Sequence, residues 1–355
     1  GALMLACSSE YYDVEKFIDA KVDKGKVNSA NISVLASNEF MHAVRRGDTT
    51  YKVQFPLNVE NPLISKEVNP SEVFNKIVKN NWTSGEPGLL FWDNFMEGSP
   101  SLHYPEYLEI CTNPCGELPL SQSESCSLSS IVLPKYLIKV DNVNFKLDLD
   151  TLKEDIKKLV RLSDDIIDIE KERCTIIINK LRREANPILD REIKIWEEQR
   201  RKKGGRRLGI GCMGIFDVMA YMRVPQDEMG TFIRGLQEFI TVHIYKESVQ
   251  LAKERGAFEG WEVGELEDTP FLQRIMQSEY MDKDTIKTWK KYGRRNIGLI
   301  TYAPTGTISM MAKVSSGIEP IFFLHYERKV KVREDELNTK KYNSDSIIYD
   351  EHEKC

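Results

Sequence analysis

The sequence predicts an α/β fold, because strand and helix patterns alternate from its first residues onward. A short apolar run at 2–6 is typical of a buried strand, and apolar residues within 12–20 share one helical face. A second strand candidate at 31–35 precedes a short helix over 39–44. Strand–helix–strand–helix order is typical of proteins in which helices cover a largely parallel sheet.

Apolar periodicity and turn residues predict the remaining elements in the same way. We expect helices at 71–79, 151–170 and 229–255, strands at 89–92, 128–133 and 295–302, and a hairpin within 136–150. Trp261 and Trp289 are expected to be packing residues.

Composition excludes several classes of protein. The 355 residues are 41% hydrophobic and 30% charged, with a formal net charge of −5, which argues against a broad basic surface that grips nucleic acid. No apolar run is long enough to span a membrane. Seven scattered cysteines, without metal-ligand spacing, form neither a disulfide framework nor a zinc site. We therefore expect a cytoplasmic protein with no bound metal.

One stretch, Asn-Pro-Cys-Gly-Glu, brings together three chemically active side chains. Asn113, Cys115 and Glu117 alternate with Pro114 and Gly116. In an extended strand or finger-like loop, side chains two apart point to the same side, so these three would face one cavity. An amide, a thiol and a carboxylate suit radical or nucleophilic chemistry with proton transfer. On this string alone, a buried structural cysteine is the commoner alternative.

A second motif follows the strand candidate at 295–302. A turn rich in threonine leads into a predicted helix that contains Met310, Met311 and Val314. Free N–H groups and the helix dipole at such an N-terminus bind anions, so the motif predicts a phosphate site. A simple capped helix after a proline turn explains the string equally well. The candidate phosphate-binding residues are Pro304, Thr305, Gly306, Thr307, Ile308 and Ser309.

A glycine pattern and a basic run each allow two interpretations. Gly209, Gly211 and Gly214 match G-x-G-x-x-G, but a charged turn precedes them instead of an apolar strand. We therefore favour close packing of strand and helix over NAD binding.

Residues 201–207 are strongly basic and could bind nucleic acid or a nucleotide. Because acidic residues interleave through 171–207, a solvated helix and loop is the preferred interpretation.

Taken together, the two motifs resemble the catalytic subunit of ribonucleotide reductases. The resemblance rests on Asn-Pro-Cys-Gly-Glu at 113–117, on Cys126 eleven residues after the first thiol, and on Pro-Thr-Gly-Thr-Ile-Ser at 304–309. The residues of the first motif and the eleven-residue spacing of the two cysteines most resemble those of the adenosylcobalamin-dependent (class II) branch and its phage relatives. The resemblance implies a partial ten-stranded α/β barrel around a central active-site finger loop. It also implies a barrel strand at 321–330 and a charged insertion at 171–207.

The same resemblance implies a role for each candidate residue in reducing ribonucleotides. Cys115 would carry the thiyl radical that abstracts the 3′-hydrogen, and Glu117 would act as the general base. Asn113 would hold the sugar hydroxyls. Cys126 would be one of two thiols that become a disulfide. The segment at 304–309 would hold the substrate diphosphate.

The resemblance further implies partners that this chain would need. The second redox cysteine lies in the family before the point that corresponds to Gly1, and Cys7 is a weak candidate for it. We therefore expect a complementary N-terminal reductase piece, adenosylcobalamin, and a reductant similar to thioredoxin or glutaredoxin. Two alternatives stay open. One is a class I large subunit, whose radical comes from a metal-containing small subunit, and the other is an inactive nucleotide-binding fragment.

Overall fold

The computed structural model describes residues 3–22, 27, 29–184, 186–262 and 268–321. The chain divides into two units, residues 1–318 and 319–355, and the description below concerns the first. Its strands are β1 Leu3–Ser8, β2 Ala30–Ala36, β3 Tyr51–Phe55, β4 Ile64–Val68, β5 Gly88–Phe91, β6 Cys111–Thr112, β7 Pro119–Leu120, β8 Ser127–Val132, β9 Leu137–Lys139, β10 Phe145–Leu147 and β11 Leu208–Met213. Its helices are α1 Val14–Ile18, α2 Asn38–Arg46, α3 Pro70–Ser84, α4 Trp92–Glu97, α5 Leu149–Arg183, α6 Asp190–Lys202, α7 Ile215–Tyr221, α8 Met229–Arg255, α9 Pro270–Gln277, α10 Lys283–Tyr292 and α11 Gly306–Ala312.

Parallel pairing confirms the predicted α/β class. Strands β1, β2 and β5 form one parallel sheet, and β8 pairs in parallel with β11. Helices connect these parallel strands, as a crossover connection requires. The expected hairpin of β9 with β10 is present, whereas the antiparallel pair β3–β4 was not anticipated. The described residues form five small sheets and no closed barrel, so ten-stranded closure stays a proposal.

Local capping signals explain where the N-terminal helices begin and end. The Ser37 hydroxyl accepts a hydrogen bond from the Phe40 N–H at the start of α2, and Gly47 ends that helix in the left-handed conformation. Asn69 caps α3 in the same way, and Gly85 terminates it at a φ of +80°. Helix α3 therefore extends beyond the 71–79 that periodicity predicted.

Two large apolar clusters lie on the helix-facing sides of the parallel sheets. Val34 and Phe40 belong to the cluster between β1–β2–β5 and helices α1 to α3. The other lies among β8, β11, α5 and α7 to α10, and there Trp289 stacks on Tyr245 with ring centroids 5.7 Å apart. Trp261 packs against a smaller aromatic cluster. Both tryptophans thus have the predicted packing role. In the described part of the chain, no helix is apolar and long enough to cross a bilayer.

The solvated interpretation of the basic run is wrong for three of its residues. Helix α5 continues to Arg183, and α6 then packs back against it. Three cations of this run are buried and reach acceptors on neighbouring segments: Lys202, Arg206 and Arg207. Among the cations of the run, Arg201 is the one that is substantially exposed. The three buried cations therefore pair with internal acceptors and do not form a surface for nucleic acid.

The prediction of a regular strand over 295–302 is wrong. The segment forms a single bridge, from Ile300 to Ile210, beside β11. Its first half turns away to other partners: the Arg295 N–H donates to the Ser248 carbonyl at 3.0 Å, and the Ile297 N–H donates to Gly205 at 2.8 Å. Of the strand predicted at 321–330, residues 322–330 lie outside the described part of the chain.

Candidate active site

Residues 111–120 form a narrow hairpin, which we call the finger loop. Its two short strands, β6 and β7, pair antiparallel, and the Asn113 N–H donates to the Leu118 carbonyl at 3.0 Å. The Asn113 side-chain oxygen accepts a second 3.0 Å bond from the Leu118 N–H. Gly116 has a φ of +84°, a conformation that favours glycine. The tip is therefore a tight turn, which agrees with the finger-like loop and not with the extended strand that the sequence also allowed.

The turn places Asn113 and Glu117 against each other and Cys115 at the exposed tip. The Asn113 amide nitrogen donates to Glu117 Oε1 at 2.7 Å, while Glu117 Oε2 is buried without a hydrogen-bond partner. Cys115 lines a cavity of about 300 Å³ together with residues of β1, β2 and β5, including Met4 and Asn31. Neither Asn113 nor Glu117 lines this cavity. Convergence of all three side chains on one substrate site thus stays a prediction.

Both candidate thiols are held in the neutral form. Loss of solvent around the sulfur, followed by the negative charge of Glu117, raises the pKa of Cys115. Burial raises the pKa of Cys126 to about 12, although Arg207 opposes this effect. Glu117 also contributes to the raised pKa of Cys126. One carboxylate therefore acts electrostatically on both thiols.

Cys126 lies immediately before β8. Glycines of β11 let β11, β8 and the segment around Thr301 approach one another closely. A Cβ atom on Gly209 would lie 2.7 Å from Cys126 Sγ and 2.6 Å from Thr301 Cγ2. A Cβ atom on Gly211 would collide with the Thr301 carbonyl oxygen. These two glycines lie inside β11, and no strand precedes them as a dinucleotide site demands. The pattern thus has a packing role, but these two glycines admit β8 and the Thr301 segment and not the helix that the sequence predicted.

The candidate phosphate segment is connected to the finger loop through Thr301. The Thr301 hydroxyl donates to the Glu117 carbonyl oxygen at 2.9 Å, although 184 positions separate them in the sequence. Beyond it, Thr305 Oγ1 accepts a 2.8 Å bond from the Gly317 N–H. Thr305 and Ser309 are buried, whereas 306–308 and Pro304 are exposed. No atom lies within 4 Å of the position that a Cβ on Gly306 would take, so the backbone there is open to a ligand.

Comparison with known proteins identifies the family. A family model described as "Ribonucleotide reductase, barrel domain" matches residues 1–351. This chain belongs to the ribonucleotide reductase barrel-domain family. A vitamin B12-dependent ribonucleoside-diphosphate reductase of Thermoplasma acidophilum is 32% identical over 335 residues, which is 93% of this chain and 37% of that protein.

Two further relatives extend the comparison. A vitamin B12-dependent ribonucleoside-diphosphate reductase of Mycobacterium tuberculosis is 28% identical over 93% of the chain and 40% of its own length. A ribonucleoside-diphosphate reductase subunit alpha of Chlamydia pneumoniae is 28% identical over 72% of the chain and 24% of its own length. The chain thus spans about two fifths or less of the curated relatives it matches.

Within the reductase domain, Cys7 does not share the cavity of Cys115. Side chains alternate across a strand, so Met4 and Cys7 of β1 point to opposite faces. Met4 lines the Cys115 cavity, whereas Cys7 packs against the apolar cluster beneath the sheet. Burial, followed by the charge of Asp13, raises the pKa of Cys7 to about 11. This position disfavours Cys7 as the redox partner of Cys126.

The reductase domain also contains a buried ion cluster that the sequence reasoning missed. Arg207 Nε donates to Glu124 Oε1 at 2.8 Å, and the same guanidinium lies 3.4 Å from Glu109. Glu109 further accepts hydrogen bonds from Ser99 and Ser101. The two glutamates flank the finger loop on its two sides. No periodicity or motif marks them, because a contact between residues 83 and 98 positions apart leaves no local pattern.

An acidic group in the reductase domain could suggest a cation site. The carboxylates of Asp164, Asp165 and Asp168 lie within 4.8 Å of one another. However, Asp164 is fully buried and already pairs with Arg206 at 2.6 Å and with Arg295 at 3.2 Å. Because the three carboxylates already pair with arginines, a metal cation would have to displace those partners to bind here.

Proposed function

We propose that this chain carries the radical loop and the substrate-phosphate segment of an adenosylcobalamin-dependent ribonucleotide reductase. Such an enzyme converts ribonucleoside di- or triphosphates to 2′-deoxyribonucleotides. The observation that supports this most strongly is the hydrogen-bonded pair of Asn113 and Glu117 beside the exposed thiol of Cys115. Two of the relatives described above are named as B12-dependent reductases, which favours cobalamin.

Cys115 is the proposed radical carrier. Its sulfur is exposed at the tip of the loop, beside a cavity that faces β1, β2 and β5. This exposure fits adenosylcobalamin, because a large cofactor and a sugar must both reach the thiol. When bound, adenosylcobalamin would supply the radical chemistry that removes the hydrogen atom of the Cys115 thiol and leaves a thiyl radical on the sulfur. Asn31 and Met4, which line the cavity, are the candidates to hold the cofactor or the sugar against the thiol.

Glu117 is the proposed general base of the reaction, and Asn113 holds it in place. The thiyl sulfur takes the 3′-hydrogen atom, and Glu117 takes the proton of the 3′-hydroxyl. Oε2 of Glu117 is suited to this, since it is buried and has no partner, while Asn113 holds Oε1 in place. The 2′-hydroxyl then leaves as water, and two thiols supply two electrons and two protons as they become a disulfide. Cys115 finally returns its hydrogen atom to C3′.

Cys126 is the proposed donor of one reducing thiol, and 304–309 the proposed phosphate clamp. Cys126 is half-buried beside Gly209, close to the electrostatic influence of Glu117. Open backbone at Gly306 to Ile308 offers N–H groups to a diphosphate. We propose that the second thiol comes from a complementary N-terminal part of the enzyme, and that a thioredoxin-like or glutaredoxin-like protein reduces the disulfide.

A second candidate function is favoured by the match to the chlamydial subunit alpha. In that case the same loop works with a radical generated in a metal-containing partner subunit. Adding adenosylcobalamin to the chain together with its complementary part distinguishes the two candidates. Turnover that depends on adenosylcobalamin supports the first, and turnover that requires a metal-containing subunit supports the second.

The central assignment is tested by Cys115→Ser, with Cys111→Ser as the matched control on the same finger loop. In the completed enzyme, Cys115→Ser should abolish turnover and leave nucleotide affinity nearly unchanged, whereas Cys111→Ser should retain most turnover. Normal turnover by Cys115→Ser would refute the proposal. Nucleotide binding without turnover by the completed parent enzyme, under both radical sources, would instead indicate an inactive nucleotide-binding fragment.

A further inference from the structure

Arg207 is the residue immediately before β11, and its side chain contacts both ends of the finger loop. Its guanidinium contacts Glu109, which precedes β6, and Glu124, which follows β7. All three charged side chains are at most 3% exposed. The planar guanidinium presents several donors in a fixed geometry, so one side chain fixes two acceptors at once.

The same residue lies next to Cys126 across the strand pair. Leu208 of β11 is opposite Ser127 of β8, and the Ser127 N–H donates to the Arg207 carbonyl at 3.4 Å. Arg207 and Cys126 therefore lie side by side, each immediately before its strand.

Several charged groups act on the Cys126 thiol. Burial raises its pKa, Arg207 lowers it, and Glu124, Glu170 and Glu117 raise it. Lys203 faces the same region, where its ammonium group donates to Ser125 and to Glu170. The positive charge of Arg207 opposes the effect of these carboxylates on the pKa of Cys126.

We propose that Arg207 is a positioning residue that fixes the base of the finger loop and whose charge, next to Cys126 across the strand pair, partly offsets the loss of thiol reactivity that burial causes. The inference rests on the proposed function for its biological meaning, because only a reductase uses both thiols. Thiolate is the species that exchanges with disulfides, so a cation beside Cys126 speeds its oxidation and its re-reduction.

The test compares Arg207→Lys with Arg207→Gln in the 355-residue chain. Both variants lose the fork that reaches Glu109 and Glu124 together, but only Arg207→Gln loses the charge. Alkylation of Cys126 by iodoacetamide at pH 9, measured by peptide mass spectrometry with Cys115 as the internal reference, isolates the charge effect. Hydrogen exchange over residues 111–124 measures how firmly the base of the finger loop is held.

We expect Cys126 to react at least threefold faster in Arg207→Lys than in Arg207→Gln. Hydrogen exchange of the loop should be faster in both variants than in the parent. It should be parent-like in Arg201→Gln, which changes an exposed arginine of the same basic run. Equal alkylation of the two variants, or parent-like exchange in both, would overturn it.

A second variant decides the matter should Arg207→Gln fail to fold. Glu124→Gln keeps an acceptor for Arg207 Nε and removes one negative charge near the sulfur. It should speed alkylation of Cys126 with little change in loop exchange, and an unchanged alkylation rate would refute the electrostatic part. Because no nucleotide or cofactor is used, an enzyme that proved inactive would leave this result intact.

Discussion

The Thr301 hydroxyl donates a 2.9 Å hydrogen bond to the Glu117 carbonyl oxygen. This bond links the finger loop to the segment that leads into 304–309. Both halves of the proposed site thus depend on one buried threonine. Its methyl group also packs over Gly209, next to Cys126.

We expect Thr301→Val to weaken catalysis more than folding. Loss of one buried hydrogen bond costs about 0.5–1.5 kcal/mol of stability. A displaced loop should lower turnover of the completed enzyme by roughly ten- to hundredfold, since small misplacements of reacting groups are costly. Thr301→Ser, which keeps the hydroxyl, is the control. Urea unfolding and single-turnover kinetics measure the two effects, and equal turnover of the valine and serine variants would contradict the prediction.

The buried carboxylate of Asp164 should be far more important for folding than that of its neighbour. Asp164→Asn removes the buried counter-charge of Arg295 and one of the two carboxylates that pair with Arg206, which should cost about 3–5 kcal/mol. Asp165 is half exposed and pairs with Arg255 at the surface, so Asp165→Asn should cost at most about 1 kcal/mol. Urea denaturation of both variants provides the comparison. Similar losses in the two would show that the Asp164 network is not coupled to folding.

Glycine is required in β11 for space and should be dispensable in helix α8. In Gly211→Ala, the new methyl group meets the Thr301 carbonyl oxygen, and we expect a loss of about 1–3 kcal/mol. Gly235 has no atom within 4 Å of its missing Cβ, so Gly235→Ala should stabilise the helix by about 0.5–1 kcal/mol. Thermal unfolding should show midpoints shifted in opposite directions. A shift in the same direction for both would contradict the packing role of Gly211.

Stability should fall in acid partly through Glu254. Hydrogen bonds from Arg161 lower the pKa of Glu254 to about 2. A folded-state pKa below the unfolded value of about 4.3 stabilises the native state above that value, and this contribution disappears as the pH falls towards 2. The difference in urea midpoint between the parent and Glu254→Gln should therefore shrink between pH 5 and pH 2. The exposed Glu172, changed to Gln, is the control, and a difference that is constant with pH would refute the assignment.

The sequence predicted the helices and strands better than it predicted the loop conformation. The bounds of α8 agree with the predicted 229–255, since a long apolar face leaves few alternatives. The strand predicted over 295–302 failed, because polar side chains and backbone groups of distant segments take its hydrogen bonds. For 113–117 the sequence left an extended strand and a finger-like loop open, and the structure has the loop, with a positive φ at Gly116.

The sequence by itself determined the α/β class and, through two short motifs, the family to which the chain belongs. Motifs and periodicity are local, and local patterns can be read from neighbouring residues. The tertiary structure alone decided that Asn113 pairs with Glu117, that Thr301 reaches the finger loop and that Arg207 joins its two ends. Contacts between residues far apart in the chain depend on how the elements pack, because burial forces each charged or polar group to find whichever partner the fold brings within hydrogen-bond distance.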